Sequence, residues 1–191
     1  MGGCATALLI NNEAAPEVRP TLDVDLIVDV ISWSAYHSIE EELRKLGFTQ
    51  AFDEQDIICR WKIDSVIVDI MPTDEKILEF SNPWYKSACQ NALLATLSNN
   101  LIVKHITAPH FIATKIEAFN GRGNGDVLMS HDMEDIISVV DGRKTILNDL
   151  SSCDKQLKSF IANEVKKWTG NNDFEDVLPG MLPPEYAASQ N

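Results

Sequence analysis

Apolar and polar positions alternate with the two-residue period of a strand through TLDVDLIVDV (21–30), where Asp23, Asp25, Ile27 and Asp29 fall on one side of the alternation. The period then changes. In SWSAYHSIEEELRKLGF the apolar residues Tyr36, Ile39, Leu43 and Leu46 recur at helical spacing, behind a serine cap and ahead of a terminating Gly47. Upstream, residues 2 to about 12 predict a glycine turn leading into a short apolar helix, followed by a loop, NNEAAPEVRP, that carries two prolines. From 48 to 71 the pattern predicts two or three strands, with IICRW and SVIVDIM joined by the turn KID. NPW at 82–84 marks a loop, and ALLATL and LIVKHI form a further strand pair around SNN.

After residue 106 the pattern is helical. TAPHFIATKIEAF opens with Thr107 as its cap and Pro109 in its first turn. SHDMEDIISVV, TILNDL and KQLKSFIANEVKKW follow. From Thr169 the chain is rich in Asn, Asp, Pro and Gly, which predicts an extended, partly mobile tail. The expected organisation is an α/β (α+β) core over 1–106, a helical region over 107–168 and a tail over 169–191.

Composition narrows the function classes. The 191 residues are 45% hydrophobic, enough for a packed domain. Sixteen basic against 29 acidic residues give a net charge of −13, so any contact with nucleic acid or an anionic membrane must be local. Cys4, Cys59, Cys89 and Cys153 stand far apart with no CxxC pair, the pattern of reduced thiols rather than of a zinc site. No apolar run approaches the roughly 20 residues of a membrane span, and no secretory leader is recognisable, so the expectation is a cytoplasmic protein. MGGCAT fits the N-myristoylation pattern through Gly2 and Thr6, with Cys4 as a second acylation site. The apolar ATALLI that follows at once suits a buried helix face better than a tethered anchor.

The chemistry lies in the carboxylates. Strand geometry puts Asp23 and Asp25 on one face, about 7 Å apart along the chain. Asp69 in SVIVDIMP shares a face with Ile67 and Met71, where an unpaired carboxylate is costly to bury. A cation would relieve all three. Hard oxygen ligands from two strands suit magnesium, and Gly2 and Gly3 at a helix start let backbone N–H groups approach an anion. Taken singly, DxD on a strand also serves as a solvated edge, and a glycine pair as a plain turn. The informative feature is their order.

That order, GGCATALL, then TLDVDLIV, then VIVDIMP, resembles the polymerase-beta-like nucleotidyltransferases. TAPHFIATKIEAFNGRG followed by SHDMEDIISVVDGR is similar to the AbiEii/AbiGii-toxin type within that superfamily, and the likeness spans about residues 2 to 145. It implies a mixed-sheet nucleotidyltransferase core completed by a helical half. Asp23 and Asp25 would be the main ligands of two Mg²⁺ ions (or Mn²⁺), with Asp69 the third carboxylate, and Gly2 and Gly3 would hold a triphosphate. Lys115 would be the family's helical lysine contacting phosphate, with Arg122 a second cation. Asp132 or Asp135 would orient Lys115 or the substrate, although acids after Ser130 also suit plain helix capping.

Lys115 stands on a stripe with Phe111, Phe119 and Arg122, a position from which a lysine also snorkels to water. His37, His105, His110 and His131 share no spacing, and Gly121, Gly123 and Gly125 lack the full dinucleotide-binding pattern. The family carries a strand before its glycine pair, where this chain has only Met1. The expectation is a start placed late or a sheet missing that strand, which would leave an open edge for another chain to pair with.

The leading expectation is a metal-dependent transfer of NMP from an NTP to a hydroxyl of tRNA or protein, in the manner of a toxin of a toxin–antitoxin or phage-defence system with an antitoxin partner. Acidic charge tells against tRNA unless the face carrying Lys115, Arg122 and Arg143 is locally basic. The alternatives are a catalytically lapsed binding module with the same fold, and a lipidated membrane protein.

Overall fold

The computed structural model describes residues 3–21, 23–51, 58–78, 81–122, 127 and 130–182. The protein is a mixed α+β chain that divides into two compact units, Met1–Ala5 with Arg19–Ile106, and Thr6–Val18 with Thr107–Asn191.

The first unit takes the opening turn of α1 (Gly3–Leu9), then β1 (Asp23–Val28), α2 (Trp33–Lys45), β2 (Thr49–Gln50), β3 (Arg60–Ile63), β4 (Val66–Pro72), α3 (Glu75–Leu78), α4 (Tyr85–Gln90), β5 (Leu93–Thr96) and β6 (Ile102–His105). Its main sheet has the order β1-β4-β3-β2 and is mixed: β1 runs parallel to β4, while β3 is antiparallel to β4 and β2. β5 and β6 form a separate antiparallel hairpin. Among the described residues β1 is therefore an edge strand.

One face of the main sheet is apolar. Val68, Ile70, Cys59 and Trp61 are buried there, with Val24, Leu43 and Phe48 packed against them. α2 covers this face: the Tyr36 hydroxyl donates to the Ile70 carbonyl at 2.9 Å, and the Arg44 guanidinium lies 5.1 Å from the centre of the Trp61 ring. Ser32 caps the helix start by accepting from the Ala35 N–H. Its end is a Schellman turn, with the Gly47 N–H donating to Arg44 and the Phe48 N–H to Leu43, and Gly47 at φ 89° supplies the left-handed residue this turn needs.

The second unit is helical: α5 (Ala108–Arg122), α6 (His131–Gly142), α7 (Ile146–Ser152), α8 (Lys155–Trp168) and α9 (Asn172–Met181). α5 is its centre, with Phe111, Ile112, Ala113, Ile116 and Phe119 all buried, and α6, α7 and α8 pack on it. Ser130 caps α6, and Asp154 caps α8 by accepting from the Gln156 and Leu157 N–H groups.

Two expectations are corrected here. Thr6–Val18 belongs to the helical unit and not with the rest of 1–106. The Gly142 carbonyl accepts from the Asn11 and Asn12 N–H groups, Arg143 donates to the Leu9 carbonyl at 2.7 Å, and the Ile10 side chain fills the space a Cβ on Gly142 would need. The tail from Thr169 is also not extended throughout, because 172–181 is helix α9. Its Phe174 is buried and stacks on Trp168 at 6.0 Å, and Trp168 in turn meets Phe119 edge-on. Burial of these aromatics outweighs the weak helix propensity of a segment rich in Asn, Asp, Pro and Gly.

Candidate active site

In the first unit, the face of the sheet opposite α2 carries the acidic residues. Asp23 and Asp25 lie on it by the alternation of β1, and the parallel register pairs Asp25 with Asp69 of β4. The hairpin of β3 and β4, turned at Asp64 (φ 52°), pairs Asp69 in turn with Arg60. A row of three side chains, Asp25, Asp69 and Arg60, thus crosses three strands, at the roughly 4.8 Å spacing of neighbouring strands.

Asp69 is buried, 7% exposed, and its charge is met by Arg60. The guanidinium grips it at two points, Nε to Oδ1 at 2.9 Å and Nη2 to Oδ2 at 2.8 Å. This is the planar fork that arginine makes with a carboxylate, and it uses one lone pair on each oxygen. Hydrogen bonds also fix the start of β1: the Asp23 carbonyl accepts from the Thr21 hydroxyl at 2.7 Å and from the Cys4 thiol at 3.2 Å. Gly3 is the first residue of α1, while its neighbour Gly2 lies outside the described residues.

Oxygen donors on adjacent strands have the right chemistry for a hard divalent cation. Their arrangement does not complete a metal site. Among the described residues no group of three or more His, Cys, Asp or Glu side chains is placed to hold a metal ion, and both oxygens of Asp69 are engaged by Arg60.

In the second unit, α5 presents Lys115 to the first turns of α6. Its ammonium lies 2.9 Å from Asp132 Oδ1 and 2.6 Å from Asp135 Oδ2, with all three side chains largely buried. The contact with Asp132 is a hydrogen bond. That with Asp135 is an ion pair at an angle outside hydrogen-bond geometry, which leaves Oδ2 without a well-aligned donor. The Lys115 ammonium also stands 5.8 Å from the centre of the Phe111 ring. Burial alone pushes the Lys115 pKa down; Asp135 and Asp132 together more than offset it and hold the lysine above its ordinary value. Asp132 and Asp135 are therefore partners of a buried cation and not solvent-facing acids of a helix start. Arg122 ends α5, and its side chain lies outside the described residues.

The structure thus brings Asp25 next to Asp69 and brings Lys115 to Asp132 and Asp135. Arg60 went unnoticed in the sequence. Its signal was the hairpin arithmetic: a two-residue turn at Asp64 and Ser65 pairs Ile63 with Val66, and so Arg60 with Asp69.

No family model and no curated protein matches this chain. Among the described residues no helix is long and apolar enough to cross a membrane.

Proposed function

We propose that the protein is a nucleotidyltransferase, moving an NMP group from an NTP to an acceptor hydroxyl with release of pyrophosphate. The observation that supports this reading best is the register of Asp25 with Asp69 on parallel neighbouring strands, with Asp23 two residues along the same face. In this reading Asp69 accepts the proton of the attacking hydroxyl, and the backbone at Gly2 and Gly3 receives phosphate oxygens. Lys115 is held within the helical unit by Asp132 and Asp135, and the transfer step in this reading does not draw on its charge. Mg²⁺ or Mn²⁺ belongs to the proposal only for a form in which Asp69 is no longer held by Arg60.

Of the two acceptor classes, protein is favoured over tRNA. The net charge is −13, Lys115 is neutralised by two aspartates, and Arg143 is paired with Asp149 at 2.5 Å, so these cations do not build a basic face for a phosphate backbone.

The Arg60 fork on Asp69 favours one alternative, a lapsed nucleotidyltransferase fold that serves as a binding module, in which a guanidinium has permanently replaced a cation. Pyrophosphate release separates the two. With Mg²⁺, an NTP and total cellular protein or tRNA, the enzyme releases pyrophosphate and Asp25→Asn does not; a lapsed module releases none in either form.

A further inference from the structure

We propose that the hairpin of β5 and β6 is the docking surface for a second copy of this chain, with β5 pairing antiparallel to β5 of the copy. This pairing is independent of the nucleotidyl-transfer reading. The hairpin is a two-stranded sheet of its own, and among the described residues no third strand joins either edge. Its surface is apolar: Leu94 is 70% and Ile102 63% exposed, and Leu93 and Leu101 are about half exposed. Leu94 pairs with Lys104 and Thr96 with Ile102, so Leu94 and Ile102 are diagonal neighbours on one face. A two-stranded sheet that leaves such a patch in water is marginal alone, and a patch of this kind marks a contact surface.

The register shows which edge can accept another strand. The Leu97 N–H donates to the Leu101 carbonyl at 2.8 Å, and the Asn100 N–H to the Leu97 carbonyl at 2.9 Å, with Asn100 left-handed at φ 62°. Leu97 with Leu101 is therefore a hydrogen-bonded pair, and by alternation so are Ala95 with Val103 and Leu93 with His105. The main-chain groups of Leu94 and Thr96 lie between these pairs and point away from β6. Edges are ordinarily guarded by a charge, a proline or a bulge. β6 carries Lys104, whereas β5, from Leu93 to Thr96, carries no charge and no proline.

Charge selects the occupant. With 29 acidic residues and a net charge of −13, two copies repel over most of their surface. No Asp or Glu occurs between Glu79 and Glu117, a stretch that contains the whole hairpin. A twofold interface sets each patch against itself, which suits an uncharged apolar surface and penalises a charged one. A phosphate-rich partner fits less well, because Lys104 is the lone lysine or arginine of the two strands and such partners take several cations.

The test is the mass of the full chain in solution, by sedimentation velocity over about 1 to 100 µM. Wild type is compared with Leu94→Lys, Thr96→Pro and Leu147→Lys, each first shown by circular dichroism to be folded. Wild type forms a dimer. Leu94→Lys sets like charges into the joint and weakens the dimer by about tenfold or more. Thr96→Pro removes only an N–H that points outward, weakens the dimer as well, and carries the comparison if Leu94→Lys does not fold. Leu147→Lys, at an exposed apolar residue of α7, leaves the dimer unchanged.

A wild type that is monomeric throughout overturns the proposal, and if it then sediments with vesicles of anionic lipid, the patch belongs to a lipid surface. A dimer that survives both hairpin substitutions, or that Leu147→Lys weakens equally, overturns it too, since the copies then meet elsewhere.

Discussion

Lys115 Nζ lies 2.9 Å from Asp132 Oδ1 across the packing of α5 on α6, with the lysine side chain 13% and the aspartate side chain 8% exposed. A charge pair this dry is costly to break from one side, because the buried group left behind loses the opposite charge that offsets its desolvation. Lys115→Met strands two buried carboxylates and costs about 3–5 kcal/mol in urea unfolding. Adding Asp135→Asn restores part of the loss. A change of less than about 1 kcal/mol in the single variant would show that the triad is open to water.

His110 gives the helical unit an acid sensitivity. It is buried with Nδ1 2.7 Å from the Thr107 hydroxyl, and burial holds its pKa below the ordinary histidine value, partly offset by Asp154. The folded state thus resists a proton that the unfolded chain accepts near pH 6.5. Stability from this site is complete above about pH 6.5 and is lost as pH falls through the depressed folded value. Thermal melts at about pH 7.5 and about pH 5.5 should differ less in His110→Asn than in wild type. Equal differences would exclude His110 as the source.

The thiols separate by environment. Cys59 is buried beneath the sheet, and burial, followed by the nearby Asp69 charge, raises its pKa to about 11. Cys4 is exposed. Iodoacetamide at about pH 8 should therefore modify Cys4 first and reach Cys59 only when the protein unfolds. Labelling of Cys59 in the folded protein at the rate of Cys4 would contradict the packing of the first unit.

Much of the architecture is written locally in the chain. The cap at Ser32, the stripe through Tyr36 and Leu43, and Gly47 define α2 from both ends, whereas the expected KID turn is displaced: Lys62 and Ile63 still pair within β3, and Asp64 with Ser65 makes the turn to β4. What escaped was set by distant partners. α9 forms because Phe174 finds Trp168, and Thr6–Val18 joins the helical unit because Gly142 leaves room for Ile10.

The site divides the same way. Asp23, Asp25 and Asp69 stand out by their period on strands, whereas Arg60 becomes visible only once the hairpin register is known. Asp132 and Asp135 suit plain helix capping by their position after Ser130, while the resemblance implies that one of them orients Lys115 or the substrate; the packing of α5 on α6 sets both against Lys115.

The most direct measurement of the central claim is transfer of label from the α-phosphate of each NTP, with Mg²⁺ or Mn²⁺, to total protein and to total tRNA, comparing wild type with Asp23→Ala/Asp25→Ala. Nucleotidyl transfer predicts label in an acceptor, protein before tRNA, that disappears in the double variant. Label that persists undiminished in the double variant, or none with any NTP and either metal, would contradict it.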